Sequence, residues 1–207
     1  MDDGKTGDLF GYSWRNHDWS PADKGPIRPS KDRRLFEDKP VATYDPKSPN
    51  IESLRRQPRT NDSEVQLLEE LARRHLEDVS GYSRKQVETA IWRAVKKVTR
   101  DIENGRVTYE AGVPGEIART KDRVLEAINE LNKIGLRDAN RAGTEYVPVT
   151  VGDITGDVRL VIDFPHGRNF PAYRQICESC SDVIEAYQKA FPGIRFEARN
   201  LTQERLG

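Results

Sequence analysis

Cysteine is almost missing from this 207-residue chain, which has Cys177 and Cys180 and no others. A pair three residues apart closes no loop of useful length and strains a disulfide, so a disulfide-stapled fold is excluded and metal or thiol redox chemistry is favoured. Histidine is nearly as scarce, with His17, His75 and His166 alone, which leaves few ways to complete a Cys/His metal site. No stretch approaches the ~20 apolar residues of a membrane span, and Met1-Asp2-Asp3-Gly4 is not a basic start followed by an apolar run. A soluble chain with no signal peptide of its own and no membrane partner is expected. Neither sign of charge is in excess: Lys plus Arg and Asp plus Glu both number 34. No global basic field announces nucleic acid, and any such binding has to come from local patches.

What is present divides the chain in two. Hydrophobic residues make up only 35% and charged residues 33%, too sparse a mixture for a chain packed along its whole length. Residues 1–58 account for the deficit. They are rich in Asp, Lys, Arg, Pro and Gly, with Phe10, Tyr12, Trp14 and Trp19 scattered among them and no sustained period, and read as an irregular or linker segment that orders only if those aromatics find the domain.

From residue 59 onward the patterning is strong. Val65, Leu68, Leu71, Ala72 and Leu76 recur at helical spacing and predict a helix that opens after Asn61 and stops near Val79 to Gly81. Ser83 and Gln86 fit a capping box for a second helix, with an apolar stripe of Val87, Ala90, Ile91, Ala94, Val98 and Ile102 that ends at Asn104-Gly105. Its other face carries Arg84, Lys85, Arg93, Lys96, Lys97 and Arg100; such a face is either solvated or a phosphate contact. Pro114 suits the first turn of a third helix, for which Gly135 is the expected terminal glycine. Tyr146–Val151, interrupted by Pro148, is an edge strand at best. Asp157–Phe164 predicts a buried strand, the Cys177 segment a helix with Val183, Ile184, Tyr187 and Phe191 on one face, and Ile194–Ala198 a final strand. Strand, helix and strand in that order make a right-handed crossover if the strands are parallel. The fold class expected is α/β.

Two short motifs carry the chemistry. Cys177-Glu178-Ser179-Cys180 opens a helix, where the helix dipole and free backbone N–H groups stabilise thiolates and the spacing lets both sulfurs reach one ion. Asn61-Asp62-Ser63-Glu64 opens another helix more than a hundred residues earlier. Taken alone it is also a helix cap, with Asn61 at the cap and Glu64 at the third helical position. The cysteine pair taken alone equally suits a thiol redox protein or a non-catalytic zinc or protein-interaction module, although no Gly-Pro lies between the cysteines and no Trp precedes them.

Asp62 to Leu71, followed downstream by Ile176 to Ile184 and by Phe191-Pro192-Gly193-Ile194, resembles the bacterial polymorphic-toxin branch of the cytidine-deaminase-like superfamily, over about a third of the chain. The resemblance implies a deaminase-like domain over 59–207, a mixed sheet flanked by helices with a helical pair inserted at about 83–135. It implies a Zn²⁺ cofactor held by Asp62, Cys177 and Cys180, with Glu64 as the catalytic proton shuttle. Here Asp62 stands where the family has histidine or cysteine, and Ile176 where it has proline. A carboxylate beside two thiolates puts three negative charges on the metal and leaves its bound water less acidified, which makes His166 the alternative ligand. Arg168, Asn169 and Tyr173 in the preceding loop are the expected substrate contacts, an aromatic face and polar groups for a base and its phosphate. The implied activity is that of a secreted toxin domain that deaminates a base, cytosine foremost, in single-stranded DNA or RNA in the target-cell cytoplasm, with a cognate immunity protein as partner.

Overall fold

A computed structural model of the protein describes residues 33–36, 63–108, 115–162 and 178–200. Helix α1 covers Ser63–Ser80, α2 Arg84–Glu103 and α3 Gly115–Ala142; a 3-10 turn at Val151–Asp153 leads into strand β1, Gly156–Ile162; α4, Glu178–Ala190, precedes strand β2, Ile194–Asn200. The strands pair in parallel from Gly156 opposite Ile194 to Ile162 opposite Asn200. The C-terminal part is therefore a β–α–β unit, as the order of apolar patterns predicts, and the coarse class is mixed helix with a small parallel sheet. Among the described residues no helix is long and apolar enough to cross a membrane.

Helix ends follow local chemistry. Gly81, Gly105 and Gly143 adopt φ of 68°, 66° and 67°, the left-handed conformation that lets the chain turn out of a helix at little steric cost. At the end of α2 the Arg106 N–H reaches back to the Asp101 carbonyl (2.8 Å), and at the end of α3 the Thr144 N–H reaches the Ala139 carbonyl (3.0 Å). At the start of α2 the Ser83/Gln86 capping box forms; Gln86 Oε1 accepts from the Ser83 amide at 3.1 Å and from its hydroxyl at 2.7 Å.

Three expectations change. Gly135 does not end α3, which runs two turns further to Ala142. Its missing side chain instead makes room for Tyr146, since a Cβ there would lie 2.2 Å from the Tyr146 ring. Residues 146–149 form no strand. They are tied to α3 by Asn132, whose Oδ1 accepts from the Tyr146 hydroxyl (2.7 Å) and the Val149 amide (3.0 Å) while its amide donates to the Val149 carbonyl (2.8 Å). Strand β1 is buried on one face only: Leu160 points into the core and Val161 is 46% exposed, as a two-stranded sheet covered on one side requires. The open face carries cross-strand pairs, Arg159 with Glu197 and Arg195 with Asp157, exposed contacts that add little stability.

The four helices close on one core. α3 lies along α2 and α4, and α1 touches both as well, so Val65, Leu68, Ala72, Leu76, Ile91, Val124, Leu131, Val183, Tyr187 and Phe191 share a single buried cluster. Leu35 and Phe36, from the segment expected to be irregular, are fully buried in the same cluster. A buried ion pair holds them there. Glu69 accepts from the backbone N–H groups of Leu35 (2.6 Å) and Phe36 (3.1 Å). Arg73, one turn on, pairs with Glu69 at 3.1 Å and donates to the Arg33 carbonyl at 2.6 Å, and Arg123 of α3 donates to the Leu35 carbonyl at 3.3 Å. Glu69 and Arg73 are 1% and 2% exposed. Removing one member strands a buried charge, which costs about 3–5 kcal/mol. Glu69→Ala should lower the unfolding free energy by about that amount, read as a shift in the urea midpoint; a change under about 1 kcal/mol would contradict the clamp.

Candidate functional site

Each motif has one residue within a described helix: Glu64 is the second residue of α1 and Cys180 the third of α4. Asp62 and Cys177 immediately precede those helices and lie outside the described residues, as do His166, Arg168, Asn169 and Tyr173. The last four and Cys177 belong by sequence to the connection from β1 to α4, residues 163–177. In an open parallel sheet such a connection leaves from the carboxyl ends of the strands, the side on which α/β folds place their ligands, and delivers the chain to a helix N-terminus that favours anions and thiolates. Among the described residues no group of three or more His, Cys, Asp or Glu side chains is placed to hold a metal.

What the structure adds is the fastening between the motif-bearing helices. His75 of α1 and Tyr187 of α4 meet through a 2.6 Å contact between the imidazole Nε2 and the phenol oxygen. Around it, Tyr187 stacks on Phe36 at 6.2 Å between centroids and packs against Phe191 at 5.0 Å and Phe196 at 5.6 Å. The ring of His75 tilts against Phe191 at 5.6 Å. One aromatic cluster thus joins α1, α4, β2 and the docked segment, with ring pairs in the range where each adds roughly 0.5–1.5 kcal/mol beyond its buried area. Burial raises the Tyr187 hydroxyl well above the usual phenol range, so it stays protonated, and the imidazole tautomer sets which of the two groups donates. Burial lowers the His75 pKa, with Asp78 opposing in part. His75 is thereby engaged through Nε2 with Tyr187, twelve residues, about 18 Å of helix rise, beyond Ser63.

A second network fixes α1 against α2. Arg84 reaches Glu70 through its terminal nitrogens Nη1 and Nη2, and Glu77 through Nη1 at 3.0 Å. Burial raises the Glu70 pKa, yet the bonds from Arg84 and Arg74 outweigh it and the net shift is downward.

The sequence reading missed Glu69, Arg73 and the His75–Tyr187 pair. A signal existed for the first two: Glu69 follows Val65 by four residues and precedes Leu76 by seven, which puts a carboxylate in the middle of the apolar face of α1. No family model, curated protein or solved structure matches the chain.

The imidazole sets a pH dependence. Its folded pKa lies below the ordinary value of about 6.5, so between the two values the unfolded chain binds a proton that the folded chain excludes. Stability is full above about pH 6.5 and is lost as pH falls toward the lowered folded value. Unfolding midpoints measured from about pH 7.5 down to about pH 5.5 should fall for the native chain, and His75→Phe should flatten that part of the profile. An unchanged slope in the variant would remove His75 as the titrating group.

Proposed function

We propose that the protein is a zinc-dependent nucleobase deaminase with a cytidine-deaminase-like fold, a toxin domain acting on cytosine in single-stranded DNA or RNA and neutralised by a cognate immunity protein. The observation that carries this reading is the parallel β1–α4–β2 unit, in which α4 follows β1 and has Cys180 as its third residue, with Cys177 just before it in the sequence. The second support is the lock between the helices. His75 lies twelve residues beyond Ser63 and Tyr187 nine beyond Glu178, or about 18 Å and about 14 Å of helix. That contact holds together the two helices to which the motifs lead in the sequence.

The donor set suits the metal: two thiolates that a helix N-terminus stabilises, a carboxylate, and few competing ligands in the chain. Zinc held there supplies Lewis-acid activation of a water molecule. Asp62, Cys177 and Cys180 would hold it, with His166 the replacement for Asp62. Glu64 takes a proton from the attacking water and returns protons to the ring nitrogen and to the departing amine, so cytosine and water become uracil and ammonia. Tyr173 offers a stacking face for the base, and Arg168 and Asn169 offer donors for phosphate and base edge.

Two measurements test the site. Metal analysis of zinc-reconstituted protein should give about one ion per chain, lost in the Cys177→Ala, Cys180→Ala double variant; unchanged stoichiometry would remove the metal site. Glu64→Ala should keep zinc and fold while abolishing C-to-T or C-to-U changes in sequenced DNA and RNA of expressing cells. Mutation spectra equal to those of the unaltered chain would make Glu64 a helix cap and nothing more. Zinc binding with no base change in either nucleic acid would favour a non-catalytic zinc or interaction module, and thiols that cycle with a disulfide without metal a redox protein.

A further inference from the structure

The basic face of α2 is two faces. Arg84, Arg93 and Lys97 turn sideways toward neighbouring helices and are engaged: Arg84 with Glu70 and Glu77, Arg93 with Glu130 at 3.5 Å, Lys97 with Glu126 at 3.1 Å. Lys85, Lys96 and Arg100 are exposed on the opposite side from the buried stripe of Val87, Ala90, Ile91, Ala94, Val95 and Val98. None of the three has a carboxylate partner among the described residues. The only acid between positions 85 and 100 is Glu88, and it is turned to Arg84 at 3.5 Å and Arg33 at 4.0 Å.

A tryptophan stands in the same row. Lys85, Trp92, Lys96 and Arg100 follow one another at spacings of seven, four and four residues, which places them along one line of the helix. Trp92 is half-buried, and the Lys96 ammonium sits 4.3 Å from its ring centroid. An indole on the solvent side of an amphipathic helix buries little apolar area, but beside free cations it is a stacking platform. The chain is neutral overall, and the carboxylates that reach α2, Glu70, Glu77, Glu88, Glu126 and Glu130, meet the sideways cations, while this row meets none among the described residues.

We infer that the outward row Lys85–Trp92–Lys96–Arg100 of α2 is a docking track for single-stranded nucleic acid, with the cations on phosphates and the indole under a base. Lys96 and Arg100 are one turn apart, about 6 Å of helix rise, comparable with the length of one extended nucleotide. When Lys96 moves to a phosphate it uncovers the indole face it now occupies. The row spans about 22 Å from Lys85 to Arg100, enough for several nucleotides, and its occupant is a polyanion with flat faces, which distinguishes a nucleic acid from an acidic protein.

The inference deepens the nucleobase reading above and rests on it for its biological sense, but its test does not involve the reaction. Fluorescence anisotropy of a labelled oligothymidylate of about 20 nucleotides, which has no exocyclic amine to lose, reads docking to the full chain alone. Lys96→Gln with Arg100→Gln should weaken binding roughly tenfold near 50 mM salt and reduce the slope of log affinity against log salt by about 1.4, two single-strand phosphate contacts. Trp92→Ala should weaken it several-fold with the slope unchanged. Unfolding midpoints equal to that of the native chain exclude a folding defect, a control that matters most for the half-buried Trp92. No binding by the native chain, or an unaltered slope in the double variant, overturns the track. Displacement of the oligonucleotide by polyglutamate as readily as by unlabelled oligothymidylate also overturns it and assigns the row to an acidic protein. A chain that binds oligothymidylate as described but deaminates nothing retires the enzymatic reading and leaves the track standing.

Discussion

The Glu69–Arg73 pair is the interaction on which the rest of the arrangement depends. Two opposite charges on successive turns of one helix, both nearly without solvent, are costly to bury unless every lone pair and proton is used. Here most are used on backbone: the carboxylate takes two consecutive amides of the 33–36 segment, and the guanidinium takes a carbonyl of the same segment and the Glu69 carbonyl of its own helix, while the buried Arg73 Nε has no partner among the described residues. The segment in turn supplies Leu35 and Phe36, which cover the apolar face that the ion pair interrupts. The helix with its buried charge pair needs the strap, and the Leu35 and Phe36 amides, paired with no strand among the described residues, need the carboxylate to satisfy them.

Phe36 carries that dependence across the molecule. Its ring stacks on Tyr187 of the cysteine-bearing helix, and Tyr187 is bonded to His75 of the helix that holds Glu69. Three elements distant in sequence are thereby referenced to one another through one aromatic ring. The arrangement of α1 against α4, on which any joint action of their two N-termini rests, is set by side chains that take no part in chemistry.

Much of this was legible in the residues. Helical period, the capping box and the glycine stops placed α1 and α2 to within a residue or two, and the succession of strand, helix and strand near the C-terminus is the β–α–β unit observed. Gly135 misled because two glycines in one helical pattern offer two stopping points, and only the position of Tyr146, eleven residues further on, decides that the first is a packing notch. Tyr146 to Val149 looked like a strand because it is apolar, but only Tyr146 and Val149 are part-buried, and Asn132 supplies the hydrogen bonds a strand would have taken from a neighbour. The docked segment was illegible for a different reason. Leu35-Phe36 has no period of its own, and its partners are thirty to a hundred and fifty residues away. Of the candidate site, the sequence yields the helix starts and the residue types, while the coming together of Asp62, Glu64, Cys177 and Cys180 is a matter of tertiary geometry that local pattern does not encode.

The parallel pairing of β1 with β2 has a consequence for the life of the chain. A parallel pair cannot be closed by a hairpin; β1 has to wait until α4 and then β2 have been made before its amides find partners. The aromatic cluster waits with it, since Tyr187, Phe191 and Phe196 all come late in the sequence. During synthesis the core therefore stays open on the side that Tyr187, Phe191 and Phe196 close until β2 has been made.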